Sequence, residues 1–343
     1  MTSAVKPSTL KFAAIGIDHR HIFVMAQNLI AEGAEFVGFY TEGTPEPLEG
    51  FIKRFPTVPR AKSAETFLND PSIDIILLAG VPCDRAGWAI KSMIAGKDVL
   101  SDKPGCTTLE QLNDVRACLA QTDRIWSINF SERFQVPSAT RAAELVAEGA
   151  IGKVVQTVGM GPHRLNRATR PDWFFDRQSY GGVLADIASH QVDQFLFFTG
   201  STDAEVTMAN VGNYANPADT GLQDFGEMSL RSDAGHGYIR VDWYTPDALP
   251  NWGDGRLTIL GTEGYIELRK YVDVGGEEGT DHLILVNGDK CEKMRALDAG
   301  VPFFGRFLED VRNRTETAMT QAHALKVCEL ALQAQELAEE RFK

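Results

Sequence analysis

Residues 11–40 read KFAAIGIDHRHIFVMAQNLIAEGAEFVGFY, and this stretch decides the fold of the first part of the chain. "KFAAIGI" is a short apolar strand, "HIFVMAQNLIAEG" carries helical periodicity and stops at Gly33, and "AEFVGFY" is a second strand. Two strands joined through a helix predict the opening unit of a parallel sheet.

Working outward, "TFLNDPSIDIILLAG" predicts a short helix and a third strand over 73–79. A helix after Val81-Pro82, a fourth strand over 98–101, the helix "TTLEQLNDVRACLAQT" and the strand "RIWSINF" follow. Thr107 and Glu110 are placed to form a capping box on that second helix. Near-continuously apolar strands alternating with amphipathic helices imply a parallel sheet covered on both faces. The predicted fold class is α/β, with a parallel-sheet domain over residues 1–130.

From 131 the pattern changes. "PSATRAAELVAEGA" and "VLADIASHQVDQFLFFTG" are helical, with the strand "GKVVQTVGM" between them. The segments "AEVTMANV", "GEMSLRS", "GYIRVDWY", "GRLTILGT", "GYIELRK" and "DHLILV" are strand-like, several joined by glycine turns. They predict an α+β domain over 131–343 built on a large, open, mainly antiparallel sheet. The closing helix, residues 315–342, is expected to be free to pack back on the first domain. The uncovered sheet face predicts a homodimer or homotetramer.

The turn after the first strand bears on function. Gly16-Ile17-Asp18-His19-Arg20-His21 stands where a dinucleotide fold carries Gly-x-Gly-x-x-Gly. Gly16 suits the tight bend, while Asp18 replaces the glycine that lets backbone approach pyrophosphate. If the turn binds a cofactor, Asp18 should point away, the N–H groups near His19 to His21 should face phosphate, and His19 or His21 should line the cleft. Thr41 takes the position of the ribose acceptor, with Glu42 beside it, and no Arg or Lys follows at once to receive a 2′-phosphate. NAD is the preferred cofactor on this reading, with NADP not excluded.

Composition narrows the class. A formal net charge of -13 argues against nucleic acid and anionic membrane as partners. The five cysteines are scattered without metal-ligand spacing, so neither a metal centre nor a disulfide framework is predicted. The N-terminal dozen residues lack the apolar run of a signal peptide, and no stretch is long and apolar enough to cross a bilayer, so the cytoplasm is the expected location.

Two further motifs carry a family resemblance. "AGKDVLSDKP", Ala95 to Pro104, resembles the Glu-Lys-Pro signature of the glucose–fructose oxidoreductase / inositol 2-dehydrogenase (Gfo/Idh/MocA) family, with Asp102 in the glutamate position. "YGGVLADIASHQVD", Tyr180 to Asp193, resembles its Gly-Gly-x-Leu-x-Asp-x-x-x-His-x-x-Asp helix. Ile128-Asn129-Phe130, Arg133-Phe134 and "RLTILGTEGYIEL" extend the likeness over nearly the whole chain. The resemblance implies an N-terminal Rossmann dinucleotide-binding domain over residues 1–130, a C-terminal domain built on a large open sheet, and Lys103, Asp186 and His190 as catalytic residues. It also implies cofactor contacts from Ile17, Gly80-Val81-Pro82, Asp102-Lys103 and Asn129, although Cys83 and Ala86 replace the family's Asn and His after that proline.

The chemistry agrees with that assignment. Asp186 and His190 are four residues apart on a predicted helix and share a face. His190 can take the proton of a hydroxyl, Lys103 can hold the oxygen as a fixed cation, and Asp186 can orient substrate hydroxyls. Between Gly161 and Gly182 the chain carries His163, Arg164, Arg167, Arg170 and Arg177, with Trp173 and Tyr180. With Arg133, this segment predicts walls for a sugar, polyol or sugar acid, the arginines serving a carboxylate. NAD(P)-dependent oxidation of a secondary alcohol is the leading function. NAD-assisted glycoside cleavage or elimination is one alternative, and a non-catalytic sensing or structural role is another.

Overall fold

The computed structural model describes residues 9–340. The start of the N-terminal segment read for a targeting signal, and the last residues of the closing helix, lie outside them. The chain divides into two compact units: residues 1–102, 113–128 and 303–321, and residues 103–112, 129–302 and 322–343. The predicted boundary near 130 is close to one of several crossings. The helix Phe303–Asn313 belongs to the first unit, whereas nearly all of the closing helix, Gln321–Glu340, belongs to the second.

The first unit is the expected parallel sheet. Its strands are β1 (Lys11–Ile15), β2 (Glu35–Tyr40), β3 (Ile75–Leu78), β4 (Asp98–Asp102) and β5 (Trp126–Asn129), in the order β2-β1-β3-β4-β5. β1 runs parallel to both β2 and β3, and β3 to β4. Ala13, Ala14, Ile75, Ile76 and Leu77 are wholly buried, which explains why these strands read as unbroken apolar runs. Chain order reverses between β1 and β3, the point at which such sheets open a crevice at their carboxyl ends.

The second unit holds β6 (Val154–Pro162), β7 (Glu205–Gly212), β8 (Phe225–Arg231), β9 (His236–Asp242), β10 (Arg256–Gly261), β11 (Gly264–Arg269), β12 (His282–Asn287) and β13 (Cys291–Arg295). Their order is β13-β12-β11-β10-β6-β9-β8-β7, antiparallel at every step except the parallel pair β6–β9. Alternate residues of β10 to β12, among them Leu257, Ile259, Ile266, Leu268, Leu283 and Leu285, form a core with Ala139 and Ala142 of the helix Pro137–Ala147. β13 was not anticipated: "CEKMR" is largely exposed and charged, as suits an edge strand.

Two local departures matter. The helix Leu109–Leu119 is capped one residue later than predicted. Thr108 Oγ1 accepts the Gln111 N–H at 3.1 Å, and the Gln111 side chain accepts the Thr107 N–H at 2.8 Å. The predicted helix over 183–200 opens as a π-helical segment, Leu184–Ala188, before continuing as the α-helix Ser189–Thr199. π segments of this kind are frequent at functional sites, and this one carries Asp186.

Candidate active site

Gly16 leaves β1 with φ +73°, and a Cβ there would stand 2.5 Å from the Cα of Gly80, which follows β3. Only glycine permits this approach. The Gly16 N–H donates to Tyr40 O at 2.8 Å, and the His19 N–H to Ala79 O at 2.8 Å, so the turn is stitched to the ends of β2 and β3. The phosphate-facing N–H groups foreseen at His19 to His21 are therefore largely committed. His19 bonds to Ala79, and the His21 N–H reaches His19 Nδ1 at 3.4 Å.

Asp18 does not cap the helix His21–Ala31, whose N-cap Arg20 has no side-chain bond. Nor does it turn away from the notch. Its Oδ2 lies 3.7 Å from the Cβ positions of both Gly16 and Gly80. Burial pushes the Asp18 carboxyl up, against its backbone hydrogen bond and Arg85. His19 and His21 are partly exposed, and their Nδ1 atoms lie 2.9 and 2.8 Å from the two oxygens of wholly buried Asp102. Burial opposes ionisation of Asp102, but His21, His19 and Arg85 hold its carboxyl well below the usual range. Arg85, buried among the apolar residues of its helix, donates to Gly80 O at 2.9 Å and went unremarked in the sequence.

The remaining cofactor candidates differ in character. Ile17 is buried, and Val81 precedes a helix that opens on Pro82. Thr41 is buried, and its Oγ1 has no hydrogen-bond partner among the described residues. Glu42 is exposed. Arg60, distant in sequence, donates to Thr41 O at 2.8 Å and Gly43 O at 2.7 Å. The glycine notch, the unpartnered Thr41 hydroxyl and the reversal of strand order fit a dinucleotide.

In the second unit, Lys103 Nζ donates to Asp186 Oδ1 at 2.8 Å, both residues being buried. His190 is buried, with its ring edge-on to Phe130 at 6.3 Å. Behind them lies a charged pair that sequence reading missed. Glu132 Oε2 accepts from Lys270 Nζ at 2.7 Å and from Gln191 Nε2 at 2.9 Å. Burial would raise the Glu132 carboxyl, but Lys270, then His190 and His163, bring it down to about 2. Burial pushes His163 down to about 4, with Glu132 opposing and Lys103 assisting. His163 is therefore neutral at pH 7; with Nδ1 donating to Gly161 O at 3.0 Å, its Nε2 is the acceptor.

Trp252 lies 4.6 Å from the His163 ring and 4.5 Å from Tyr271, and Trp243 is 5.3 Å from His163. These rings form an aromatic wall that differs from the Trp173 and Tyr180 predicted from the sequence. The arginines are occupied elsewhere. Arg133 forms a bidentate pair with Asp193 at 2.7 and 2.6 Å. Arg164 donates to Pro246 O and Leu249 O, Arg167 pairs with Asp219, and Arg177 pairs with Glu339. Arg170 donates to Leu165 O and lies over Phe174 and Trp243. Trp173 is half-buried against Phe174, and the Tyr180 hydroxyl is held between Gly221 O and the Gln223 N–H. In Asn129, Oδ1 accepts from Gln135 at 3.2 Å, while Nδ2 has no hydrogen-bond partner among the described residues.

A Rossmann unit with a glycine notch, joined to an open-sheet unit holding a buried lysine, aspartate and histidine, defines a nicotinamide-dependent oxidoreductase. Residues 11–130 match the oxidoreductase family with an NAD-binding Rossmann fold, and residues 139–267 match the GFO/IDH/MocA C-terminal domain. The chain belongs to the Gfo/Idh/MocA family and is an NAD(P)-binding enzyme. A crystal structure from Erwinia carotovora atroseptica SCRI1043 is 48% identical, with a TM-score of 0.93 over 96% of this chain and 99% of that one. D-xylose dehydrogenase of Paenarthrobacter nicotinovorans is 27% identical over 37% of this chain and 34% of its own length. Levoglucosan dehydrogenase of Pseudarthrobacter phenanthrenivorans is 25% identical over 48% of this chain and 42% of its own. The matched region thus spans less than half the length of these two relatives. Among the described residues, no helix is long and apolar enough to cross a membrane.

Proposed function

We propose that this protein interconverts a secondary alcohol and the corresponding ketone on an uncharged sugar, cyclitol or polyol. The observation that carries the reading is the buried Lys103–Asp186 pair, 2.8 Å long, in the unit that also buries His190 and a neutral His163. The similarity to dehydrogenases of D-xylose and levoglucosan supports the substrate class.

The chain's own groups divide the work. Lys103 holds the reacting oxygen and stabilises negative charge that develops there, its position fixed by Asp186. His190 takes the hydroxyl proton in oxidation and returns it in reduction. His163 Nε2 accepts from a neighbouring hydroxyl, and Trp252 with Trp243 offers flat apolar surface to a sugar ring. The hydride acceptor for oxidation, and the donor for reduction, would be supplied by a bound nicotinamide. An uncharged substrate is preferred because the arginines predicted to clamp a carboxylate are engaged within their own unit.

NAD is favoured by exposed Glu42 beside Thr41, while Arg60 at the same strand end keeps NADP in contention. We place the protein in the cytoplasm as a homo-oligomer that covers the outer face of the second sheet, where Tyr265 and Leu260 are more than a third exposed. The test is a panel of neutral sugars, cyclitols and sugar acids read by nicotinamide absorbance. Lys103→Met and His190→Ala should each lower turnover at least about a hundredfold with native circular dichroism. Near-normal rates in both would refute the roles assigned.

A further inference from the structure

The two histidines of the opening turn do something that cofactor binding alone leaves unexplained. His19 Nδ1, His21 Nδ1 and the carboxylate oxygens of Asp102 converge within 4.8 Å of one another. Asp102 ends β4 and is wholly buried, while His19 and His21 remain reachable from solvent, their side chains 18% and 34% exposed.

Both rings meet the Asp102 carboxylate at close range. His21 Nδ1 lies 2.8 Å from Asp102 Oδ1 in hydrogen-bonding alignment. His19 Nδ1 stands 2.9 Å from Oδ2, yet that buried oxygen has no hydrogen-bond partner among the described residues. His19 Nδ1 also lies 3.4 Å from the His21 backbone N–H. Arg85, 3.5 Å from Oδ2, is too far for a hydrogen bond of ordinary strength.

A metal ion fits this donor set. Ligands about 2.1 Å from one ion stand about 3.0 Å apart at a right angle and about 3.4 Å apart in a tetrahedron, so a slight opening of the 2.9 and 2.8 Å contacts would admit an ion. Two imidazoles and one carboxylate suit Zn2+ or a related first-row dication, with further positions left for water or an anion. We propose that His19, His21 and Asp102 form a divalent transition-metal site. The site stands independently of the reaction proposed above. It would place a dication at a turn where Asp18 and His21 have replaced glycines and the His19 and His21 N–H groups are already bonded.

The test uses the full chain after chelator treatment and dialysis. Co2+ added in steps should produce visible d–d absorption saturating at one ion per chain, and Zn2+ should bind at the same stoichiometry in calorimetry. The His19→Gln/His21→Gln double variant should lose both signals while keeping native circular dichroism. Asp102→Asn should weaken Zn2+ binding at least about a hundredfold. If the double variant does not fold, His21→Gln alone, at the more exposed position, takes its place with the same expected loss. Absence of saturable Co2+ and Zn2+ binding to the wild type would overturn the site, as would equal binding by the histidine variant. NAD titration with and without Zn2+ then separates the two readings, since metal binding without a change in NAD affinity leaves the metal site standing and removes only its link to the cofactor.

Discussion

Replacing Lys270 by methionine tests whether the charged layer behind the candidate site is held by mutual compensation. Lys270 Nζ touches Glu132 at 2.7 Å and Gln194 Oε1 at 3.0 Å, and neither charged side chain is more than 2% exposed. A carboxyl held at about 2 instead of 4.5 contributes about 3 kcal/mol to folding at neutral pH, at ~1.4 kcal/mol per pH unit. Because the folded value is depressed, that stability is complete above 4.5 and is lost as pH falls through 2. Without Lys270, burial becomes the dominant influence on Glu132 and drives its carboxyl above the unfolded value. The variant should lose about 3–5 kcal/mol at pH 7, since one partner's removal strands the other. Its pH dependence should also change sign: the Glu132 contribution becomes most favourable below 4.5 and is lost as pH rises through the new folded value.

Urea unfolding at a series of pH values measures both effects, with Trp243 and Trp252 reporting from the same unit. Adding Glu132→Gln should restore most of the loss, because it removes the stranded charge while keeping the shape. A loss below about 1 kcal/mol, or an acid limb with the wild-type slope, would refute the reasoning.

Gly182→Ala should destabilise the second unit by about 2–4 kcal/mol in thermal or urea unfolding, because φ is +90° and the added Cβ would collide with the Gln335 carboxamide. Arg60→Ala should weaken NADP more than NAD, raising the ratio of their calorimetric dissociation constants about tenfold, whereas an unchanged ratio would remove Arg60 from cofactor choice. Tyr265→Glu puts a charge on the outer sheet face and should reduce the mass measured by light scattering to that of a single chain.

The backbone of both units was legible because it follows from periodicity. Unbroken apolar runs marked β1 and β3, and alternation marked β8 to β12. β13 escaped since an exposed, charged edge strand has no buried face to pattern. The π segment escaped as well: "LADIA" looks like any helical stretch, and its wider winding is set by what packs around it. Gln335 is part of that setting, accepting the Leu184 N–H at 2.9 Å from 151 residues away. The partners of the arginines were hidden for a related reason. Composition suggested a carboxylate clamp, but Asp219 lies 52 residues from Arg167 and Glu339 lies 162 from Arg177.

The same physics governs the site itself. Lys103 and Asp186 could each be picked out within a motif, whereas Glu132 and Lys270, 138 residues apart, are separately ordinary surface types. A buried charge is tolerable only where an opposite charge or a set of donors meets it, and that partner is fixed by tertiary structure. β4 shows this most compactly. All five residues of "DVLSD" are buried, including an acid at each end. Asp98 is met by Arg314 of the first unit, while Asp102 is met by Arg85 and the two histidines. A local reading takes two such acids for the solvated ends of a strand. Their burial instead requires cations from elsewhere in the chain, and one oxygen of Asp102 has no hydrogen-bond partner among the described residues.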